Sequence, residues 1–583
     1  MKSNKWFVKV FFVCFCILAG SVNPAAADTA DQIHFTIISN TAVTFDWIGT
    51  ADHIHYGTDP CNLTSSFSAV HPSELPVVAN PWTSNPGPFW EAKLTGLVQN
   101  TIYSYKIGDS GQVKTFLTPP PPGTAGFRVC GTSDLHESYS ECATMFNQIA
   151  GLNPNFVITT GDTTGGDSGL QAFVDTRFHD AMVWSQNVAW MPIWGNHDWQ
   201  DNPQHDDLRS YKGRFDIPHQ QTIANSPADG AGGYELYEDW GWFDYGNTRF
   251  ISYPERYVSA TWTNWQTAVG PIFLAAQNDP NIKFIVTFGH QSAWTSTVSR
   301  YPGSATLQGI LNTLHNSYPK YKLDLSGHNH NYERYQIANG MTHIINSTCG
   351  AYYRSWASPT KPANCAYRCI HYGILVLDIS DNAIQGQFVC SVNTSQGGGD
   401  YIIEEPVCSS PGTVIDTFTI GTPDTNAPTP NPMTWASVPT ATSSTSIAMT
   451  ATTATDGSGV EYFFHNVTDP NHDSGWQTGT TRTDANLSVN TLYTYQVKAR
   501  DKSPTHNETA YSTTADAATW PMGDLNGDGA VDLLDFAKFA AHWLETGCVA
   551  PDWCGGANLN QPLDNTVNFY DLEILVESWL LGV

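Results

Sequence analysis

The sequence predicts a multidomain fold in which a central α/β region is flanked by two β-sandwiches and followed by a small helical tail. Three observations carry that expectation. At 583 residues the chain exceeds the roughly 250–300 residues at which a single core stops growing. Two segments of short alternating strands repeat one another on either side of proline-rich punctuation. Between them, short apolar runs alternate with longer helix-compatible stretches, the pattern of an α/β sheet. Apolar residues make up 41% of the chain, with 20 Trp, 25 Tyr and 27 Phe, enough to build several packed cores. The 26 basic residues stand against 54 acidic ones, a formal charge of −28. Nonspecific attraction to nucleic-acid phosphates or anionic lipid is therefore excluded as a working principle.

Taken in order, Lys2, Lys5 and Lys9 precede an apolar run from Val10 to Gly20 and then Ala25-Ala26-Ala27. This is the layout of a secretory signal over residues 1–27, its apolar core shorter than the ~20 residues of a spanning helix. Export is expected, with no membrane span in the mature chain. Ten of the twelve cysteines lie beyond it, an even number that suits disulfides in an exported chain. The pairs Cys365 with Cys369 and Cys548 with Cys554 have the spacing of local staples, although spacing alone does not fix connectivity.

Residues 28–118 read as a β-sandwich, with alternation such as Val43-Thr44-Phe45-Asp46-Trp47. Pro119 to Pro122 and Gly123 form a stiff linker, and Pro423, Pro428, Pro430 and Pro432 mark a second one. Residues 424–520 read as a second sandwich. The two share Asn-Thr-x-Tyr-x-Tyr at Asn100 to Tyr105 and Asn490 to Tyr495, each with a Leu three residues earlier, Leu97 and Leu487. The echo resembles the tyrosine corner of fibronectin type III-like domains, where a Tyr hydroxyl ties a strand to an upstream turn.

Within residues 124–421, five apolar runs read as strands: Phe127 to Cys130, Phe156 to Thr160, Val188 to Trp194, Ile282 to Phe288 and Tyr321 to Leu325. Each runs directly into a polar cluster, namely GTSDLHES (131–138), GDTTGGD (161–167), GNHD (195–198), GHQ (289–291) and GHNHNYER (327–334). Carboxyl ends of strands are where open α/β sheets assemble their sites. The clusters supply what two ions ~3.5 to 4 Å apart require, mixed oxygen and imidazole ligands with one carboxylate able to bridge. Asp134 and His136 alternate on one turn, Asp162 has two oxygens for bridging, Asn196 offers an amide oxygen, and His290, His328 and His330 offer imidazoles. Isolated histidines such as His179, His315, His343 and His371 read as surface or hydrogen-bonded structural residues.

GNHD together with GHNHNYER resembles the calcineurin-like metallophosphoesterases, and with the preceding sandwich most resembles their purple acid phosphatase branch, over roughly Asp28 to Gly421. The resemblance implies a four-layer α/β sandwich. It implies Asp134, His136, Asp162 and His330 around one ion, and Asp162, Asn196, His290 and His328 around the other. His197 would face the phosphate and leaving group as proton donor, with Asp198 orienting its ring; Glu333 and Arg334 read either as a supporting shell or as a surface ion pair. The purple enzymes carry a metal-binding Tyr three residues after the bridging Asp, where this chain has Gly165. No tyrosinate is expected, and the ions are Fe, Mn or Zn. A water bridging two such cations is acidified toward hydroxide near neutral pH, so the expected reaction is phosphate-monoester hydrolysis. Diester or nucleotide hydrolysis at the same site is the alternative. A non-catalytic surface adhesion or scaffold protein is the third reading.

The tail, residues 521–583, opens on Asp524-Leu525-Asn526-Gly527-Asp528-Gly529-Ala530-Val531-Asp532-Leu533-Leu534-Asp535. Asp524, Asn526, Asp528, Asp532 and Asp535, with the Ala530 carbonyl, fit positions 1, 3, 5, 9, 12 and 7 of an EF-hand-type calcium loop, with Gly529 at position 6. A helix is expected from Phe536 to Leu544. A second loop aligns through Asn560, Asp564, Asn568 and Asp571, with Pro562 at its third position weakening it. The duplicated loop–helix plan resembles dockerin domains, which implies a cohesin-type protein partner.

Overall fold

The computed structural model describes residues 28–72, 89–136, 139–164, 171–200, 208–223, 239–256, 259–392, 408, 410–503, 505–549, 553–560 and 564–579. The signal-like segment, Gly165 and Pro562 lie outside these residues. The chain forms two compact units that divide between Pro423 and Asp424. Among the described residues no helix is long and apolar enough to cross a membrane.

The first unit begins with two antiparallel sheets. One orders Ala30–Ser39, Ala42–Gly49 and Phe89–Leu94; the other orders Ser65–Ser68, His53–Gly57, Ile102–Ile107 and Lys114–Leu117. Strand alternation turns Phe35, Phe45 and Trp47 inward. Phe45 packs on Tyr105 and Phe116 of the other sheet with ring centroids 4.5 and 5.2 Å apart. The Tyr103 hydroxyl accepts a hydrogen bond from Val98 N (3.0 Å), pinning its strand to the upstream turn.

The α/β region holds two larger sheets. The six-stranded sheet orders Ala189–Ile193, Phe156–Thr160, Phe127–Thr132, Tyr372–Ile379, Ala383–Val392 and Val414–Gly421. The seven-stranded sheet orders Trp242–Tyr245, Thr248–Ser252, Phe284–Phe288, Tyr321–Ser326, Thr342–Asn346, Tyr332–Gln336 and Cys365–Cys369. All five apolar runs are strands, buried on both faces, and those that neighbour one another pair in parallel. Parallel pairing brings their carboxyl ends to common edges. The sheets meet through aromatic rings, Phe156 lying 5.2 Å from Phe250 and 5.5 Å from Phe243. Helices Tyr139–Leu152 and Gln171–Ser185 fall between strands of the first sheet in sequence, and Thr261–Asn278 and Ala305–Ser317 between strands of the second. Disulfides join Cys390 to Cys408 and Cys548 to Cys554. The staple between Cys365 and Cys369 does not form. The two occupy the ends of one extended strand, where about 3.3 Å per residue holds their Cα atoms roughly 13 Å apart, beyond disulfide reach.

The second unit contains a three-stranded sheet (Trp435–Ser443, Ser446–Ala451, Thr481–Ala485) and a four-stranded one (Trp476–Gln477, Val460–Asn466, Leu492–Asp501, Ala515–Ala518). Here the sequence echo becomes a structural one. Tyr493 OH accepts from Ser488 N (2.9 Å), as Tyr103 does from Val98, and Thr519 Oγ1 accepts from Thr491 N (3.0 Å), as Thr118 Oγ1 does from Thr101 N (2.9 Å). The tail carries helices Leu533–Ala541 and Phe569–Glu577. The first begins three residues before its expected start because Asp532 caps it, in a reciprocal capping box with Asp535. Asn568 and Asp571 repeat that box on the second helix.

Candidate metal centre

The polar clusters converge at the strand ends. Asp134 and His136 follow Phe127–Thr132, Asp162 follows Phe156–Thr160, and Asn196 and His197 open a short helix after Ala189–Ile193. His290 follows Phe284–Phe288, and His328 and His330 follow Tyr321–Ser326. Asp134, Asp162, His328 and His330 have φ between 53° and 73°. Non-glycine residues resist this left-handed region, and its clustering at one place marks a functional site.

The ligand atoms fall into overlapping groups, Asp134 with His136 and His330, and Asp162 with His290 and His328, with a third joining His136, Asp162 and His197. Asp134 Oδ1 lies 3.5 Å from His330 Nε2 and 3.9 Å from His136 Nε2. Asp162 Oδ2 lies 3.1 Å from His290 Nε2 and 3.6 Å from His136 Nε2. Asn196 Oδ1 is 3.0 Å from His290 Nε2, and His328 Nδ1 is 3.1 Å from the same nitrogen. Ligand bonds of about 2.1 Å at about 100° set neighbouring donor atoms roughly 3.2 Å apart, so these spacings suit shared cations.

Two buried oxygens test the fit. Both side chains are fully buried; Asp134 Oδ1 meets no hydrogen-bond donor among the described residues, and the groups nearest Asp162 Oδ2 are the imidazoles of His290 and His136. An ionised carboxylate oxygen in that position demands a cation. The other oxygens are occupied: Asp134 Oδ2 accepts from Ser133 Oγ (2.6 Å), His328 N (3.0 Å) and Ser347 Oγ, while Asp162 Oδ1 accepts from His197 N (2.8 Å). The imidazoles are oriented from behind, His290 Nδ1 by Thr160 O (2.8 Å) and His330 Nδ1 by Tyr352 O (2.7 Å), which turns each Nε2 toward the carboxylates. The residues fit a dinuclear site.

Electrostatics agree. Burial opposes ionisation of Asp162, but the His290 and His197 charges and imidazole hydrogen bonds hold it well below the usual carboxylate range. Burial pulls His330 down to about 3 against the opposing charge of Asp134, and burial with the charges of His290 and Arg300 keeps His328 well below its ordinary value. Both are thus neutral, the form that donates a lone pair to metal. Burial disfavours the charged form of His290 too, yet Asp162, with further help from Asp134 and Glu255, raises it to about 10. That proton stands where a cation would, and it has to leave before His290 Nε2 can donate a lone pair to metal.

Other expected residues are placed differently. The His197 ring stacks on His136 with centroids 4.2 Å apart, inside the cluster. Asp198 serves the loops: Oδ1 accepts from Thr163 N (2.9 Å), Thr164 N and Thr164 Oγ1 (2.8 Å), and Oδ2 from Gly195 N (2.6 Å). Its carboxylate therefore fastens the loop after Asp162 to the loop carrying Asn196, in place of the ring-orienting role. Asp198→Asn should lower the unfolding midpoint and cut turnover about 10- to 100-fold, because one amide cannot accept all four bonds; thermal denaturation and steady-state kinetics check this. Glu333 accepts from Thr295 Oγ1, Thr297 Oγ1, Ser296 N and Tyr335 OH, and so fixes residues 295–297. Arg334 forms a two-bond pair with Asp416 (2.7 and 2.9 Å). Neither supports a ligand directly, since their neighbours saturate them away from the cluster. Ser347 and Tyr352, which do support the site, lie beyond every polar cluster of the sequence. Of the isolated histidines, His179 bonds to Asp31, His315 to Tyr321 O and His343 to Asp324, whereas His371 is buried with neither ring nitrogen hydrogen-bonded among the described residues.

Known proteins share this region. Residues 127–332 match the family model of calcineurin-like phosphoesterases, a span that contains all seven ligand candidates. Purple acid phosphatase 21 of Arabidopsis thaliana is 28% identical over 187 residues, covering 30% of this chain and 42% of that relative. Among solved structures, PhoD is similar over 63% of this chain and 88% of its own, at 10% identity and a TM-score of 0.45. A dimetal phosphatase from Danio rerio is similar over 51% and 99%, at 11% identity and a TM-score of 0.31. Residues 127–332 are therefore a calcineurin-like metallophosphoesterase domain with a purple acid phosphatase homologue.

Proposed function

We propose that the chain is an exported dinuclear-metal phosphoesterase that hydrolyses phosphate monoesters. The observation that carries this reading is Asp162 Oδ2, a fully buried carboxylate oxygen that faces imidazoles from both ligand groups. Asp134, His136, Asp162 and His330 would hold one ion, and Asp162, Asn196, His290 and His328 the other, each Fe, Mn or Zn. When bound, such a pair acidifies water and neutralises phosphoryl oxygens. The chain's own residues do the rest. Second-sphere bonds from Thr160 O and Tyr352 O hold the ring orientations. Ser133, Ser347 and the His328 amide keep Asp134 from rotating. His197, partly exposed beside His136, gives a proton to the departing alcohol.

The test is to load purified protein with Mn, Zn or Fe in turn and assay an aryl phosphomonoester and an aryl phosphodiester beside His330→Ala. Faster monoester turnover that the substitution abolishes is the expected result. Diester preference would favour the phosphodiesterase reading, and no turnover with any metal the scaffold reading.

The tail fits a calcium-binding dockerin-like module in this proposal. Asp524 accepts from Gly527 N (2.7 Å) and Gly529 N (2.8 Å), and Asp535 from Leu525 N (2.7 Å), Asn526 N (2.9 Å) and Asp532 N (2.9 Å), so the loop backbone winds around these two buried carboxylates. Asp571 repeats the bonds of Asp535 on Asn560 N and Asn568 N, both 2.8 Å. Leu533, Leu534, Phe569 and Tyr570 are exposed at equivalent first turns of the two helices, surface that a cohesin-type partner would cover. Calorimetric titration of the full chain with calcium should show at least one site that Asp524→Ala removes; heats unchanged by the substitution would sink the calcium assignment.

A further inference from the structure

A cavity of about 470 Å³ opens beside His328, walled by Glu255, Gln291, Arg300 and Asn329 and reached across the exposed start of the Ala305–Ser317 helix at Thr306. Its size lies within the roughly 300–1,000 Å³ typical of small-molecule sites. Two buried polar atoms on its wall stand out. Glu255 is 3% exposed; its carboxyl accepts from Gln291 Nε2 (2.8 Å, at Oε1) and interacts with the Arg256 amide, while no side chain among the described residues donates to Oε2. Asn329 is 1% exposed, its Oδ1 lies 3.4 Å from Arg300 Nη1, and its Nδ2 likewise has no partner among the described residues. Buried polar groups are normally satisfied, so an acceptor and a donor left open on one cavity call for a ligand that supplies both complements.

We infer that this cavity takes the alcohol portion of the substrate and that this portion is polyhydroxylated, which makes the substrate a sugar phosphate. The inference rests on the phosphomonoesterase reading and names its substrate class. Hydroxyls both donate, as Glu255 Oε2 requires, and accept, as Asn329 Nδ2 requires. An alkyl or unsubstituted aryl group would seal both atoms away from water unpaired, the arrangement that makes hydrogen-bonding sites reject analogues lacking the hydroxyl. Arg300 lines the same cavity and is held there by its bond to the His328 carbonyl.

Two measurements decide. The first compares kcat/KM for a hexose 6-phosphate and for n-hexyl phosphate in wild type, Glu255→Gln and Thr306→Trp. Wild type should favour the hexose ester by at least about 10-fold. Glu255→Gln, which preserves shape and the Gln291 contact, should shrink that ratio about 10-fold, the worth of one charge-assisted hydrogen bond. Thr306→Trp, at an exposed position, should shrink it by filling the cavity. A wild-type preference for hexyl phosphate, or a ratio that neither variant moves, would overturn the inference. The second measurement needs no turnover: saturation-transfer NMR with a free hexitol should show contact with wild-type protein that Thr306→Trp abolishes. Contact without turnover of either ester would retain the pocket and fail the monoesterase reading, whereas absence of contact would overturn the pocket itself.

Discussion

Asp162→Asn should lower kcat/KM for an aryl phosphomonoester on the order of 10³-fold and reduce bound transition metal below two ions per chain, read by elemental analysis of purified protein. The size of the effect follows from geometry. Asp162 Oδ1 accepts from His197 N at 2.8 Å, and Oδ2 faces His290 Nε2 at 3.1 Å and His136 Nε2 at 3.6 Å. An amide has one acceptor and one donor end. Turned one way, its NH2 meets the His197 N–H; turned the other, it points into the space between the imidazoles where positive charge is to be held. Neither orientation bridges. Circular dichroism should remain that of the wild type, because the strand ending at Thr160 is buried independently of the carboxylate. Two ions per chain and turnover within 10-fold of wild type would refute the bridging role.

The second large effect comes from a residue with no functional group. A Cβ on Gly195 would sit 2.4 Å from Asp162 Oδ1 and 2.7 Å from both Asp162 N and His290 Cγ. All three belong to groups held by the site, so none can yield without moving a ligand. Gly195→Ala should therefore cost about 10²-fold in kcat, since displacements near 1 Å at a reacting centre have that price, and about 1–3 kcal/mol in stability from overpacking. Steady-state kinetics and chemical denaturation check both parts. Gly161 is a parallel case, with φ of 95° and a Cβ position 2.4 Å from His290 Nδ1. A fully active Gly195→Ala enzyme would mean that the close approach plays no part in the site.

The reading of the metal cluster from sequence rested on strand ends followed by Asp, Asn and His, and the five strands were legible because doubly buried parallel strands are continuous apolar runs. The two tyrosine turns were legible for a related reason, since Tyr103 to Val98 and Tyr493 to Ser488 are bonds between near neighbours in the chain. Asp198 was misread because adjacency to His197 suggested a partner, whereas its oxygens reach Thr163 and Thr164, more than thirty positions away. Glu333 and Arg334 support no ligand despite their nearness to His330 in sequence, because alternation sends them to opposite faces, Arg334 to Asp416 and Glu333 to residues 295–297. The Cys365 and Cys369 spacing would suit a turn, and the extended strand it occupies forbids the bond.

The identity of the donors, their placement after strands and the repeat of the tail's loop and helix were set by the chain alone, because each depends on local periodicity and on short-range turn chemistry. The folded molecule decided what surrounds those donors. Ser347 meets Asp134, Tyr352 meets His330, Gly195 leaves room for Asp162, and Glu255 and Asn329 face one cavity beside His328. These are encounters between residues from separate elements, and their energy arises from burial and packing that exist only once the sheets have closed on one another.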